Sequence, residues 1–209
     1  MTRPADNPFR MQRLETLPFQ PQSITWPALL DRLDALAYRA AIVGPHGSGK
    51  TTLMEALDRH LSAQGFRIRR LFMNEEEGPR LPDRWRASLR QADRRDIILA
   101  DGYNLLGLLQ RWYLRRITRH ALGLIVTAHQ PVRLPTLIHC QTSPALLDQL
   151  TRDLLGDTLP AATIDALHQQ HRGNLRAAFR TLYDQAACHN LATSSRTREG
   201  KDVAPDITP

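Results

Sequence analysis

The chain has 209 residues, 42% hydrophobic and 23% charged, with a formal net charge of +7; these values fit one main folded domain with a small appendage and exclude a chain disordered throughout. No run reaches the roughly 20 apolar residues that a membrane helix needs, because Asp101 and Asn104 interrupt the stretch from Ile97 to Leu109, and the first residues lack the apolar centre of a signal peptide, so a soluble, cytoplasmic protein without a membrane partner is expected. Cys140 and Cys188 have no metal-type spacing, which speaks against a disulfide framework or a zinc site.

Prolines 4, 8, 18, 21 and 27 punctuate the start, so residues 1–24 are expected to form an extended arm, with Phe9, Leu17 and Phe19 as its anchors. Thr25 and Pro27 have the form of a helix start, and the leucines at 29, 30, 33 and 36 predict a helix to about Tyr38. Ala40 to Val43 reads as a strand, and Thr51 to Gln64 as a helix with Leu53, Met54, Leu57 and Leu61 on one face. Phe66 to Met73 alternates apolar and basic residues as an edge strand does, and Asn74 to Pro79 ends it as a loop.

A helix is expected from about Pro82 to Ala92, a strand over Ile97 to Asp101, a helix over about Leu105 to Arg119 and a strand over Gly123 to Ala128. The turn Pro131 to Pro135 leads to a short strand from Thr136 to Cys140. Alternating strands and helices define an α/β protein, a parallel sheet sandwiched by helices. The nucleotide-binding domain is then expected over 25–142. From Ser143 three helices follow without a strand (Pro144 to Leu155, Ala161 to His171, Leu175 to Ala187), giving a small C-terminal helical lid over 143–190 and a disordered tail over 191–209.

Gly44, Pro45, His46, Gly47, Ser48, Gly49, Lys50 and Thr51 satisfy GxxxxGK[ST] in full, between a strand and a helix. Such a loop turns successive backbone N–H groups into one concavity and adds the positive end of the helix, a cradle for the phosphates of ATP. Lys50 is expected to bridge the β- and γ-phosphates, the Thr51 hydroxyl to join a Mg2+ shell and Thr52 to approach the α-phosphate. Lys50 and Lys201 are the only lysines in an arginine-rich chain, so a compact ammonium has been kept where a phosphate loop needs one. Ile97-Ile98-Leu99-Ala100-Asp101 has the form of a Walker B strand, which makes Asp101 the second magnesium ligand.

With these features, the chain resembles P-loop NTPases of the additional-strand class. His171-Arg172-Gly173-Asn174-Leu175-Arg176 is similar to the lid-helix signature of AAA+-like bacterial ATPases of the small transposition- or secretion-associated type. The resemblance spans about residues 25–188. It implies that Thr127, with His129 as its neighbour and substitute, holds a sensor 1-like position orienting the attacking water, and that Arg176 is the lid arginine reaching the γ-phosphate. Arg133, before the last strand, is the candidate trans-acting arginine finger.

Two departures bear on catalysis. Position 102 is glycine where many of these ATPases have a water-polarising glutamate, and Glu75 to Glu77 follow a strand expected at the sheet edge, away from the phosphates. Gln130 to Pro135 is too short for the helix that usually precedes the last strand, which speaks against a stable active ring.

No acidic residue occurs from Gly102 through Leu147, while Arg111, Arg115, Arg116, Arg119 and Arg133 do. Arg111/Arg115/Arg119 and Arg86/Arg90/Arg94 are each spaced to share a helix face, a surface for nucleic acid or a protein partner, or a solvated face in an arginine-biased proteome. Trp85, Trp112 and Tyr113 read as packing residues. The leading expectation is an AAA+-like ATPase or ATP-dependent switch acting on a protein or nucleic-acid partner. The alternatives are a P-loop kinase of a small molecule or nucleotide and a non-hydrolysing nucleotide-binding adaptor. A GTPase is disfavoured, because its guanine-reading motif needs a lysine that the chain lacks after Lys50 until Lys201.

Overall fold

A computed structural model describes residues 7–10, 13, 17, 19, 21, 23–74, 76 and 80–198. Two compact units emerge, one of Pro18–Thr142 and one of the residues from Ser143 onward together with those up to Leu17.

In the first unit, helix α1 (Trp26–Ala35) starts at Thr25, whose hydroxyl accepts from the Ala28 N–H, with proline in the first turn. It ends earlier than its leucine spacing predicts. Ala37 and Tyr38 adopt left-handed φ of 47° and 57°, and the Tyr38 N–H returns to the Leu33 carbonyl at 3.0 Å. This closes the helix and reverses the chain into β1 (Arg39–Val43).

Next come α2 (Lys50–Ala63), β2 (Arg67–Phe72), α3 (Asp83–Arg90), β3 (Asp96–Asp101), a 3-10 turn (Tyr103–Leu105), α4 (Leu108–Ile117), β4 (Gly123–Ala128) and β5 (Thr136–His139). The five strands are all parallel, in the order β2-β3-β4-β1-β5. The fold is α/β, a parallel sheet between helices.

Both sheet faces are buried, so its central strands are apolar throughout rather than alternating. Ala41, Val43, Ile98, Ala100, Leu124 and Val126 face one core, closed by Leu89, Tyr103 and Leu114. Ala40, Ile42, Ile97, Leu99 and Ile125 face the other, closed by Leu29, Leu33, Leu53, Leu57 and Leu61. Each fully buried Leu or Ile contributes about 1.5–3 kcal/mol of transfer free energy.

Strand β2 lies at the edge, as its alternation predicts, and its arginines have structural partners. Arg67 and Arg69 both reach Asp96, 3.1 Å away in each case and itself buried on β3, while Arg70 pairs with Asp58 of α2.

The second unit contains α5 (Pro144–Leu155), α6 (Ala161–Gln170) and α7 (Leu175–Arg198). Ser143 caps α5 by accepting from the Leu146 N–H at 3.1 Å, and Gly156 ends it in a left-handed conformation. Phe9 is buried here beside Phe179, and Asn7 donates to the Tyr183 carbonyl at 3.0 Å. The beginning of the expected surface arm therefore supplies core to the helical unit, whereas Phe19 packs on the sheet unit. Helix α7 continues to Arg198, past residue 191 where composition predicts a disordered tail; residues 199–209, like Glu75 and Glu77, lie outside the described residues.

Candidate phosphate-binding site

The parallel sheet brings the C-terminal ends of β1, β3 and β4 to one edge, where residues 44–52, Asp101, Thr127 and His129 fall. Residues 44–49 connect β1 to α2, with Gly44, Ser48 and Lys50 buried and Pro45 and His46 exposed. Gly49 has a φ of +82°, which a side chain would strain, and this left-handed residue points the loop into the first turn of α2. The ring of Phe19 lies against it, 3.5 Å from where a Cβ would be.

Ser48 Oγ donates to the Pro45 carbonyl at 2.8 Å and Lys50 Nζ donates to the same oxygen at 2.6 Å. Only 9% of Lys50 is exposed, and burial pulls its ammonium below the ordinary lysine value against the opposing field of Asp101. The loop thus holds a desolvated cation whose hydrogen-bond partner among the described residues is a neutral carbonyl. Thr52, on the same turn, is half-buried.

Asp101, the last residue of β3, is held on both carboxylate oxygens. Thr51 Oγ1 donates to Oδ2 at 2.9 Å, and Thr127 Oγ1, from the buried strand β4, donates to Oδ1. The Thr127 hydroxyl also accepts from the Gly102 N–H at 2.9 Å. A hydroxyl and a carboxylate oxygen in contact are a hard donor set that fits Mg2+, and Thr51 and Asp101 are the residues that would hold it.

Gly102 has a φ of +81°, and a Cβ there would lie 2.6 Å from the Met73 carbonyl. The backbone therefore excludes the glutamate that the resemblance leads one to expect after Asp101. Gly102→Glu is expected to destabilise the fold by about 1–3 kcal/mol through backbone strain, lowering Tm by roughly 2–4 °C per kcal/mol in a thermal melt, without raising ATP turnover. Glu76 of the candidate rescue loop is exposed and follows edge strand β2, two strands from β4 and three from β1.

His46 of the loop and His129, directly after β4, form a ring pair with centroids 3.8 Å apart. Sequence reading placed both residues without pairing them; the missing information is that β1 lies beside β4, with Val43 opposite Ala128. His129 is held below the ordinary histidine value, first by burial, then by His46 and Lys50. In the free protein its stability contribution is complete above the ordinary histidine pKa and falls as pH drops from that value toward the depressed one. Phosphates on Lys50 oppose its field at His129, so binding should take up a proton. ATP affinity of the wild type, relative to His129→Gln, is expected to rise as pH falls from the ordinary histidine value toward the depressed one; equilibrium titrations at several pH values check it.

Cys140 backs the loop. Its N–H donates to the Val43 carbonyl at 2.7 Å, and burial pushes its thiol up to about 11, so it stays a neutral packing group.

Two further predicted residues belong to other elements. Arg133 is exposed before β5, at the N-terminal edge of the sheet, away from the loop of its own chain. Arg176 is the exposed second residue of α7 in the helical unit, and Asn174 caps that helix by accepting from the Ala177 N–H at 3.1 Å. The two arginine stripes are not regular faces. Helix α3 stops at Arg90 and α4 at Ile117, leaving Arg94 and Arg119 outside them, while Arg111 turns back to the carbonyls of Leu106 and Asn104, both at 2.7 Å. Trp85 and Tyr113 pack on the core as expected, but Trp112 is 56% exposed.

A five-stranded parallel sheet with a glycine-rich loop between its fourth-placed strand and a helix has the fold of P-loop NTPases. Among solved structures it is similar to AMPPCP-bound DnaA from Aquifex aeolicus, with a TM-score of 0.53 and 14% identity over 83% of this chain and 64% of that one. The chain therefore spans less than two thirds of that protein, and the likeness is one of fold. No family model matches the chain, and no curated protein matches it in sequence. Among the described residues no helix is long and apolar enough to cross a membrane.

Proposed function

We propose that the chain binds ATP with Mg2+ at residues 44–52 and acts as an AAA+-like ATPase or ATP-dependent switch of the additional-strand class. The observation that carries this reading is the linked set Thr51–Asp101–Thr127, which ties the phosphate-loop helix to two strand ends through one carboxylate. Lys50 supplies the cation for the phosphates, Thr51 and Asp101 the magnesium oxygens, and Thr127 holds Asp101 in place. Position β4, between β1 and β3, supports the additional-strand assignment. The nucleotide analogue in the structurally similar DnaA adds support for a triphosphate ligand.

Gly102 favours the switch over a fast hydrolase. A site that cannot place a carboxylate after Asp101 polarises water poorly, so the bound state outlives each encounter. Arg176 is assigned the lid role, coupling γ-phosphate loss to movement of the helical unit; this rests on the resemblance and on its exposure on α7. Incubation with labelled ATP and Mg2+, with and without DNA, tests the reading. Bound ATP with slow phosphate release fits it; rapid transfer of the label to a small-molecule acceptor would make the protein a kinase instead.

A further inference from the structure

The edge of the sheet opposite the phosphate loop carries a second feature that the nucleotide reading does not use. Arg39 opens β1, Arg133 precedes β5, and Arg115, Arg116 and Arg119 lie at the end of α4 and just beyond it. In a parallel sheet these positions all fall at the N-terminal edge. The five arginines, with Trp112 and Leu134, line a recess of about 370 Å³, within the size range of sites that hold a small ligand or one nucleotide unit.

Among the described residues none of the five guanidiniums is ion-paired with a carboxylate. Two are fixed by backbone carbonyls instead, Arg115 on Arg133 at 2.9 Å and Arg39 on Thr118 at 3.2 Å. Burial and then the field of Arg115 pull Arg39 below the ordinary arginine value, an electrostatic cost that an incoming anion relieves. The sequence supplies no acid from Gly102 through Leu147 to do so.

The neighbouring surface of α4 is apolar. Leu108 and Leu109 are each 81% exposed and Trp112 is 56% exposed, and helical spacing sets the tryptophan between the two leucines and the pair Arg115 and Arg116. A peptide of acidic side chains alone would use the arginines and leave the indole idle. A duplex would also leave it idle, since its bases are stacked inside. An unpaired strand presents phosphates and base faces together, and base–aromatic stacking beside a cationic groove is how such strands are held.

We propose that this recess and the adjoining strip of α4 bind single-stranded nucleic acid, with phosphates on the arginines and a base stacked on Trp112. The site is at the other sheet edge from the phosphate loop, so it stands or falls independently of ATP binding.

Anisotropy of a labelled oligo(dT) of about 20 nucleotides, titrated with the full chain between about 50 and 200 mM salt, tests this. The wild type is expected to bind it more tightly than a duplex of equal length or polyglutamate. Trp112→Ala should weaken binding roughly 5- to 150-fold and Trp112→Phe should restore most of it. Joint Arg115→Ala, Arg116→Ala and Arg119→Ala should flatten the slope of log K against log salt by about 0.7 per guanidinium. Thermal melts and ATP binding should be unchanged in each variant. Equal affinity for duplex, preference for polyglutamate, no binding at the lowest salt, or indifference to Trp112→Ala would each overturn the proposal.

Discussion

Replacing Lys50 by alanine is expected to weaken ATP binding by about 2–5 kcal/mol, the range for removing one partner of a buried, hydrogen-bonded charge pair, or roughly 30-fold to several-thousand-fold in Kd. The size follows from burial. Lys50 is nearly enclosed, its ammonium is disfavoured by desolvation, and its carbonyl partner Pro45 is also served by Ser48. A phosphate is the anion that compensates such a cation. The same circumstances predict that the unliganded variant does not lose stability, since removing a desolvated charge also removes its cost. Calorimetric titration with ATP and Mg2+, paired with thermal melts, separates the effects: affinity collapses while the melting temperature without ligand is equal or higher.

The second large effect is expected at Asp101. Asp101→Ala removes the acceptor for both Thr51 and the buried Thr127 hydroxyl, and an unsatisfied buried donor costs about 1–3 kcal/mol. Asp101→Asn keeps a side-chain carbonyl and the shape of the site but discards the charge that a divalent cation needs. The asparagine variant should therefore melt near the wild type and still lose the dependence of ATP binding on Mg2+, read by titrations with and without EDTA. Any residual phosphate release should fall by more than about 100-fold, beyond the 10- to 100-fold typical of losing an outer-shell partner of a metal site. Retained Mg2+ dependence in Asp101→Asn would remove Asp101 from the metal site.

The strand–loop–helix setting of the candidate phosphate loop was legible because its information is local: eight consecutive residues between an apolar run and a helical pattern. Edge placement of β2 was legible from the basic residues set among its apolar ones, although its burial is not a simple alternation: Ile68 packs on one core, Leu71 on the other, and Phe72 is 62% exposed. What depended on strand order was harder to read. Thr127 reaches Asp101, and His129 reaches His46, because β4 lies between β3 and β1; sequence spacing alone does not set that neighbourhood.

Periodicity misled where helices stop. Arg94 and Arg119 keep the i, i+4 spacing of their stripes but fall beyond the ends of α3 and α4, and Arg111 is occupied by the carbonyls of the preceding turn. Trp112 resembled a packing residue because large aromatics usually bury their area, and only the orientation of α4 shows it facing outward. Phe9 was hidden by the prolines around it, which mark extended chain but do not reveal that such a chain can supply a core residue to a distant helix pair. Gly102 carried a chemical message in the sequence, the missing glutamate, and the backbone adds the reason: its conformation and the Met73 carbonyl leave no room for a side chain.

The most direct measurement is the thermal stability of the purified chain as ATP is added in the presence of Mg2+. A ligand bound only by the folded state stabilises it by about 2.7 kcal/mol at a hundred times its Kd, so a saturable rise in melting temperature, with one ATP per chain by titration, is the predicted result. An unchanged melting temperature with millimolar ATP and Mg2+, together with no heat of binding, would contradict the central claim that Gly44 to Thr51 form a nucleotide site.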